Sequence, residues 1–82
     1  MAAQRVVPDR VSDQLGLYCP EPIFRTRQEL DDMKPGEILE VVADDPATAE
    51  DIPRLVKRTG NELVDFYRAD GVNHFIIRKT SG

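Results

Sequence analysis

Glu37-Ile38-Leu39-Glu40-Val41-Val42-Ala43, with Lys34-Pro35-Gly36 before it and Asp44-Asp45-Pro46 after it, is the clearest strand of this chain. The run is nearly continuous in apolar and β-branched residues, and Glu40 is its only interior charge. Such a segment belongs inside a sheet, with a partner strand on each side. On both flanks the hydrophobic period changes from two to about 3.6. Upstream, Ile23, Phe24, Arg27, Leu30 and Met33 fall on one helical stripe in which only Arg27 is polar. This predicts a helix that opens beside Pro20 and Pro22, runs to about Met33 and ends at Lys34-Pro35-Gly36. Downstream, Ile52, Leu55, Val56 and Thr59 share one face of a second helix. Thr48 and Asp51 have capping-box-like spacing at its start, Pro53 is expected within its first turn, and Gly60 takes the C′ position at its end.

Further out, Val11 to Leu17 reads as a first strand. Glu62 to Arg68 and Val72 to Lys79 read as two more, joined at Asp70-Gly71, a strong hairpin signal. The order is βαβαββ. Two right-handed crossovers then place both helices on one face of the sheet. The expected fold is an α/β (α+β) two-layer sandwich, a four-stranded mixed sheet with two helices on one face. Residues 1–10 lack a clear period and include Pro8, so they read as a flexible leader, with residues 11–82 as a single domain.

Composition narrows the function. A chain of 82 residues has room for one thin core, burying roughly 60–65% of its unfolded surface. Fifteen acidic residues against 11 basic ones give a net charge of -4, which argues against a general nucleic-acid binder. No apolar run approaches the roughly 18 residues of a membrane span, and the first ten residues hold no hydrophobic signal core. A cytoplasmic protein is expected. Cys19 is the single cysteine, so an internal disulfide and a thiol-only metal cage are both excluded. A mixed metal site would need His74, the only histidine, together with carboxylates that have no ligand spacing. We expect no metal and no cofactor.

Cys19-Pro20-Glu21-Pro22 is the stretch that carries chemistry. A thiol at a helix start faces unpaired backbone N–H groups and the positive end of the helix dipole, both of which favour the thiolate. The prolines fix the first turn and hold Cys19 outside the hydrogen-bonded helix, reachable by another protein. Glu21 acts in both directions, opposing a nearby thiolate while suiting the helix start. The residues alone leave open a reactive surface thiol or a small buried hydrophobe.

A wider set of motifs separates the two. Asp-Gln-Leu-Gly-Leu-Tyr-Cys-Pro-Glu-Pro (Asp13 to Pro22) is followed by Pro-Gly-Glu (Pro35 to Glu37) and Ala-Asp-Asp-Pro-Ala-Thr (Ala43 to Thr48). Asp-Ile-Pro (Asp51 to Pro53), Glu-Leu-Val (Glu62 to Val64) and Ile-Arg-Lys (Ile77 to Lys79) complete the set. Together these resemble the TusA/SirA family of small sulfur carriers over nearly the whole chain from Asp13. The resemblance implies the same βαβαββ sandwich and a persulfide carried on Cys19. It also implies a cysteine desulfurase or rhodanese-like donor and a downstream acceptor protein. The destinations it implies are tRNA thiolation, molybdenum-cofactor supply or dissimilatory sulfur metabolism. Tyr18 stands where many relatives carry arginine, and Asn61 where many carry histidine. A second cysteine, which a thioredoxin-like enzyme would want, is missing, as suits a relay that must not resolve its own persulfide.

Other residues carry two readings each. Arg25 and Arg27 offer partner docking or a solvated helix face. Asp44 and Asp45 cap the second helix or touch a partner. His74 reads as structural. Phe66 and Tyr67, adjacent in a strand, point to opposite sides, one into the core and one outward. Asp65, Tyr67 and Asn73 make the helix-free face polar enough to stay bare, so a monomer is expected. Against the sulfur-carrier reading stand a binding or regulatory module with a structural or redox-sensing cysteine, and an RNA-binding domain, which the net charge disfavours.

Overall fold

Alternation along the central strand sets the architecture. Leu39, Val41 and Ala43 are fully buried, while Ile38, Glu40 and Val42 between them face the other way and are half-exposed. The computed structural model, which describes residues 7–80, places this strand, β2 (Ile38–Ala43), inside the sheet. β1 (Arg10–Asp13) pairs with it in parallel and β4 (Val72–Arg78) antiparallel, and β3 (Glu62–Ala69) lies beyond β4. The strand order is β1-β2-β4-β3. α1 (Glu21–Asp31) and α2 (Thr48–Arg58) pack against each other and against one face of the sheet. This is the expected four-stranded mixed sheet with a single helical layer.

The core between the layers joins Leu30 and Met33 of the α1 region, Ile52 and Val56 of α2, and Leu39, Val41, Phe75 and Ile77 of the sheet, with Leu63 at its margin. The face of α1 differs from the expected stripe. Pro22, Thr26 and Leu30, spaced by four, are the buried residues, whereas Phe24 is 61% exposed and Arg27 lies in solvent. Thr26 belongs inside because its hydroxyl accepts a hydrogen bond from Gln14 Nε2 at 3.1 Å, which ties α1 to the end of β1. Arg10 of β1 adds an ion pair to Glu29 of α1 at 2.8 Å.

Other boundaries also shift for local reasons. The first strand is shorter than expected, because Gly16 adopts φ +83° in a turn that begins directly after Asp13. α1 starts at Glu21 and ends at Asp31, two residues short of Met33. Thr48 is the first helical residue of α2 rather than its cap, and its hydroxyl donates to the Asp45 carbonyl at 2.6 Å. With that start, Pro53 falls in the second turn of α2, leaving the Ala49 carbonyl without an amide four residues on. The other end of α2 follows expectation. Gly60 at φ +77° donates its amide to Lys57 O and Asn61 to Val56 O, closing a Schellman turn. Asp70 and Gly71 both have positive φ, the primed two-residue turn that matches the twist of a hairpin.

Several side chains on the sheet also depart from expectation. Asn73 is buried on the helical side, where its amide donates to Thr48 Oγ1 at 3.1 Å. Phe66 and Tyr67 do point to opposite sides, but neither is buried: Phe66 stacks on core residue Phe75 from the edge strand, and Tyr67 stacks on His74 on the helix-free face. His74 Nδ1 lies 3.0 Å from Glu40 Oε2, so the one charge inside β2 has a partner there. Lys79 is buried and donates from Nζ to the Leu30 carbonyl at 2.6 Å, satisfying the C-terminal end of α1. Residues 1–6 of the expected leader lie outside the described residues.

The rotated face of α1 has a direct test in urea denaturation. Leu30→Ala should cost about 2–5 kcal/mol as a cavity in a close-packed core, while Phe24→Ala should stay within about 0.5 kcal/mol.

Candidate functional site

Because β1 and β2 are parallel, the loops that leave their C-terminal ends emerge side by side. The first loop, residues 14–20, carries the cysteine; the second, residues 44–47, carries two adjacent aspartates. Their contacts are charge-assisted. Asp44 Oδ1 accepts the Gly16 amide at 3.0 Å, and Asp45 Oδ2 accepts the Cys19 amide at 2.8 Å. Asp45 Oδ1 also accepts the Ala47 amide at 3.1 Å, so one carboxylate joins the cysteine loop to the turn that starts α2. Gln14 anchors the beginning of the first loop: its side chain is fully buried and its backbone N–H donates to the Val42 carbonyl at 2.8 Å.

Cys19 lies one residue before Pro20, the N-cap of α1. The Cys19–Pro20 peptide bond is cis. Glu21 is the first helical residue, exposed, with its amide donated to Tyr18 O at 2.9 Å. Pro22 is fully buried and fastens the first turn to the core. The short motif thus splits into an exposed half, Cys19 to Glu21, and a buried anchor at Pro22.

The sulfur is exposed, and the first turn of α1 offers it no open amide: Glu21 N–H is given to Tyr18 O, Ile23 and Phe24 N–H to Pro20 O, and Pro20 and Pro22 have none. The sulfur turns toward α2 and donates to Asp51 Oδ2 at 3.6 Å. α1 has no side-chain cap at its N-terminus, where the N-cap residue is Pro20. The expected lowering of the thiol pKa is therefore reversed. Desolvation by the surrounding chain pushes the thiol above the ordinary cysteine range, and the charge and hydrogen bond of Asp51 and the charge of Asp45 push it further. Near neutral pH the resting sulfur is a protonated thiol.

Asp51 is the functional-site residue that spacing alone misassigns, since its distance from Thr48 suggests only a helix cap. The one signal that could have found it is its place in the Asp-Ile-Pro motif. It also lines a shallow groove between the helices with Ile23, Arg54, Leu55 and Arg58. Arg54 Nη1 lies 3.8 Å from Asp51 Oδ1. Arg25 and Arg27 are exposed on α1 outside that groove lining. Asp44 and Asp45 are engaged by the chain's own amides, as above. Among the described residues no group of three or more His, Cys, Asp or Glu side chains is placed to hold a metal ion. No helix of the described residues is long and apolar enough to cross a membrane.

Comparison with known proteins converges on one family. Residues 10–79 match the family model described as sulfurtransferase TusA. The chain is 52% identical over 67 residues to the "Putative sulfur carrier protein" of Archaeoglobus fulgidus, a match covering 80% of this chain and 87% of that protein. It is 40% identical over 72 residues to the sulfur carrier protein TusA of Allochromatium vinosum, covering 88% and 95% respectively. A crystal structure of a SirA-like protein from Desulfitobacterium hafniense superposes with a TM-score of 0.77 at 20% identity, over 88% of this chain and 99% of the other, and so shares the fold.

Asp45 holds two amides on opposite sides of the site, and its removal should loosen both. We expect Asp45→Ala to lower stability by about 1.5–3 kcal/mol, the scale of a hydrogen bond to a charged group. Amide hydrogen exchange at Cys19 should accelerate in the variant.

Proposed function

The chain belongs to the sulfurtransferase TusA family, and from that premise we propose that it is a sulfur carrier that takes up sulfane sulfur as a persulfide on Cys19 and relays it to an acceptor protein. The observation that carries this reading is the placement of the single cysteine: exposed, at the end of a braced loop directly before a helix, with no second thiol in the sequence to intercept the cargo. A buried structural cysteine does not fit that exposure.

Loading requires the Cys19 thiolate to attack the outer sulfur of a donor persulfide. Unloading requires an acceptor thiolate to attack the outer sulfur now on Cys19, which departs. Both steps need a sulfur that projects from the surface and can be met end-on. The donor is a cysteine desulfurase or a rhodanese-like protein, and the acceptor a downstream enzyme of tRNA thiolation, molybdenum-cofactor supply or dissimilatory sulfur metabolism. As a sulfurtransferase the protein is a covalent intermediate passed between enzymes, working in the cytoplasm as a monomer. Arg25 and Arg27 are offered to the partner as exposed cations on the helix that begins beside the thiol. A second reading, a regulatory module whose cysteine senses oxidants, is favoured by one observation, the exposure of Cys19, whereas the carboxylate beside the sulfur opposes the thiolate such a sensor needs.

Intact-protein mass spectrometry after incubation with a cysteine desulfurase and cysteine separates the two. The carrier gains the mass of one sulfur atom, lost again with reductant and absent in Cys19→Ser. A sensor shows no such adduct with desulfurase, thiosulfate or polysulfide, and gains oxygen or a mixed disulfide with peroxide and a small thiol.

A further inference from the structure

We propose that Asp51 is a positioning residue that distinguishes the empty carrier from the loaded one, holding Cys19 while it is a thiol and releasing it once a second sulfur is attached. The inference rests on the persulfide reading of Cys19. Its geometric basis is the 3.6 Å contact between Cys19 Sγ and Asp51 Oδ2. A thiol is a weak donor, and an ionised carboxylate is the acceptor best able to hold it. Asp51 is itself fixed: its backbone amide donates to Ala47 O at 3.0 Å and its other carboxylate oxygen lies 3.8 Å from Arg54 Nη1.

The charges that act on the sulfur are Asp51 of α2 and Asp45 of the loop before it, with Arg54 beside the other Asp51 oxygen and Glu21 in the first turn of α1. Asp45 already receives two amides, one on each oxygen. Asp51 is the carboxylate that receives the thiol hydrogen.

The transfer step removes that hydrogen. As Cys19 loads, its S–H proton leaves and the resulting thiolate forms a bond to the outer sulfur of the donor persulfide. The donor's own S–S bond breaks, and its electron pair leaves on the donor's inner sulfur as a thiolate, which takes up one proton. Sulfane sulfur changes owner with no net oxidation. The Cys19 sulfur is then bonded to Cβ and to the outer sulfur and has no hydrogen to donate. The hydrogen of the persulfide, when present, sits one S–S bond of about 2.05 Å farther out. The Asp51 carboxylate now faces sulfur lone pairs, and the tether becomes a repulsion that turns the terminal sulfur away from α2 into solvent, where an acceptor thiolate can reach it. Delivery restores the S–H group and with it the hold.

The pH profile of Cys19 alkylation by iodoacetamide, read by intact mass, tests the empty state. In Asp51→Asn the midpoint should fall toward lower pH, with alkylation at pH 7 faster by about three- to tenfold, a tenfold change corresponding to one pKa unit. Asp51→Glu keeps the charge and should retain most of the wild-type midpoint. An unchanged midpoint in a folded Asp51→Asn protein overturns the proposal. In the wild-type protein, carbon NMR gives a check that needs no variant: the Asp51 carboxyl signal should shift with the Cys19 titration, and a flat Asp51 signal overturns it. For the loaded state, the alkylation profile of the Cys19 persulfide should move less on Asp51→Asn than that of the thiol; an equal or larger movement overturns the discrimination. Failure of the carrier reading is seen separately, as absence of the sulfur adduct in the wild-type protein, with the thiol profile still measurable.

Discussion

One carboxylate organises the reactive end of this molecule. Asp45 accepts the Cys19 amide with one oxygen and the Ala47 amide with the other. Each bond is charge-assisted, and each satisfies a backbone donor in a loop that no strand or helix would otherwise satisfy. The arrangement is available only because β1 and β2 run parallel and next to each other, so that the loops following them share one edge. Asp44 repeats the device on Gly16. The cysteine is thereby held from the neighbouring crossover rather than by its own helix.

That constraint changes the electrostatics of the thiol. A cysteine at a helix start is ordinarily read as activated, because the macrodipole and free amides favour its anion. Here the sulfur points across to the second helix, and desolvation, followed by Asp51 and Asp45, disfavours its anion. The empty thiol is exposed, and yet its surroundings favour the protonated form over the thiolate.

Much of the fold was legible in the residues. β2 announced itself by its unbroken apolar run, the hairpin by Asp70-Gly71, and the end of α2 by Gly60, because each is a local signal with a local cause. The reading of α1 was less complete. Phe24 looked like a core residue by periodicity, and Thr26 did not, because its burial depends on Gln14 from another element. Asn73 was misplaced to the bare face for the same reason: its partner Thr48 lies 25 residues away. In the site, Cys19 and its prolines could be read from the motif they form. Asp51 could not be tied to Cys19, since 32 residues separate them and only the packing of α1 on α2 brings them together.

The sheet gives the molecule two unlike poles. Asp13 and Ala43, the C-terminal ends of β1 and β2, lie with the Asp70-Gly71 turn at the pole of the thiol. At the other pole Asp9 bonds to Ile38, and Lys79 bonds to Gly36 and Glu37. Both ends of the described chain therefore depart from the side remote from the sulfur. A tether attached at either end, whether a linker, a neighbouring domain or an immobilising support, would leave the sulfur-bearing pole free to present itself to one partner after another.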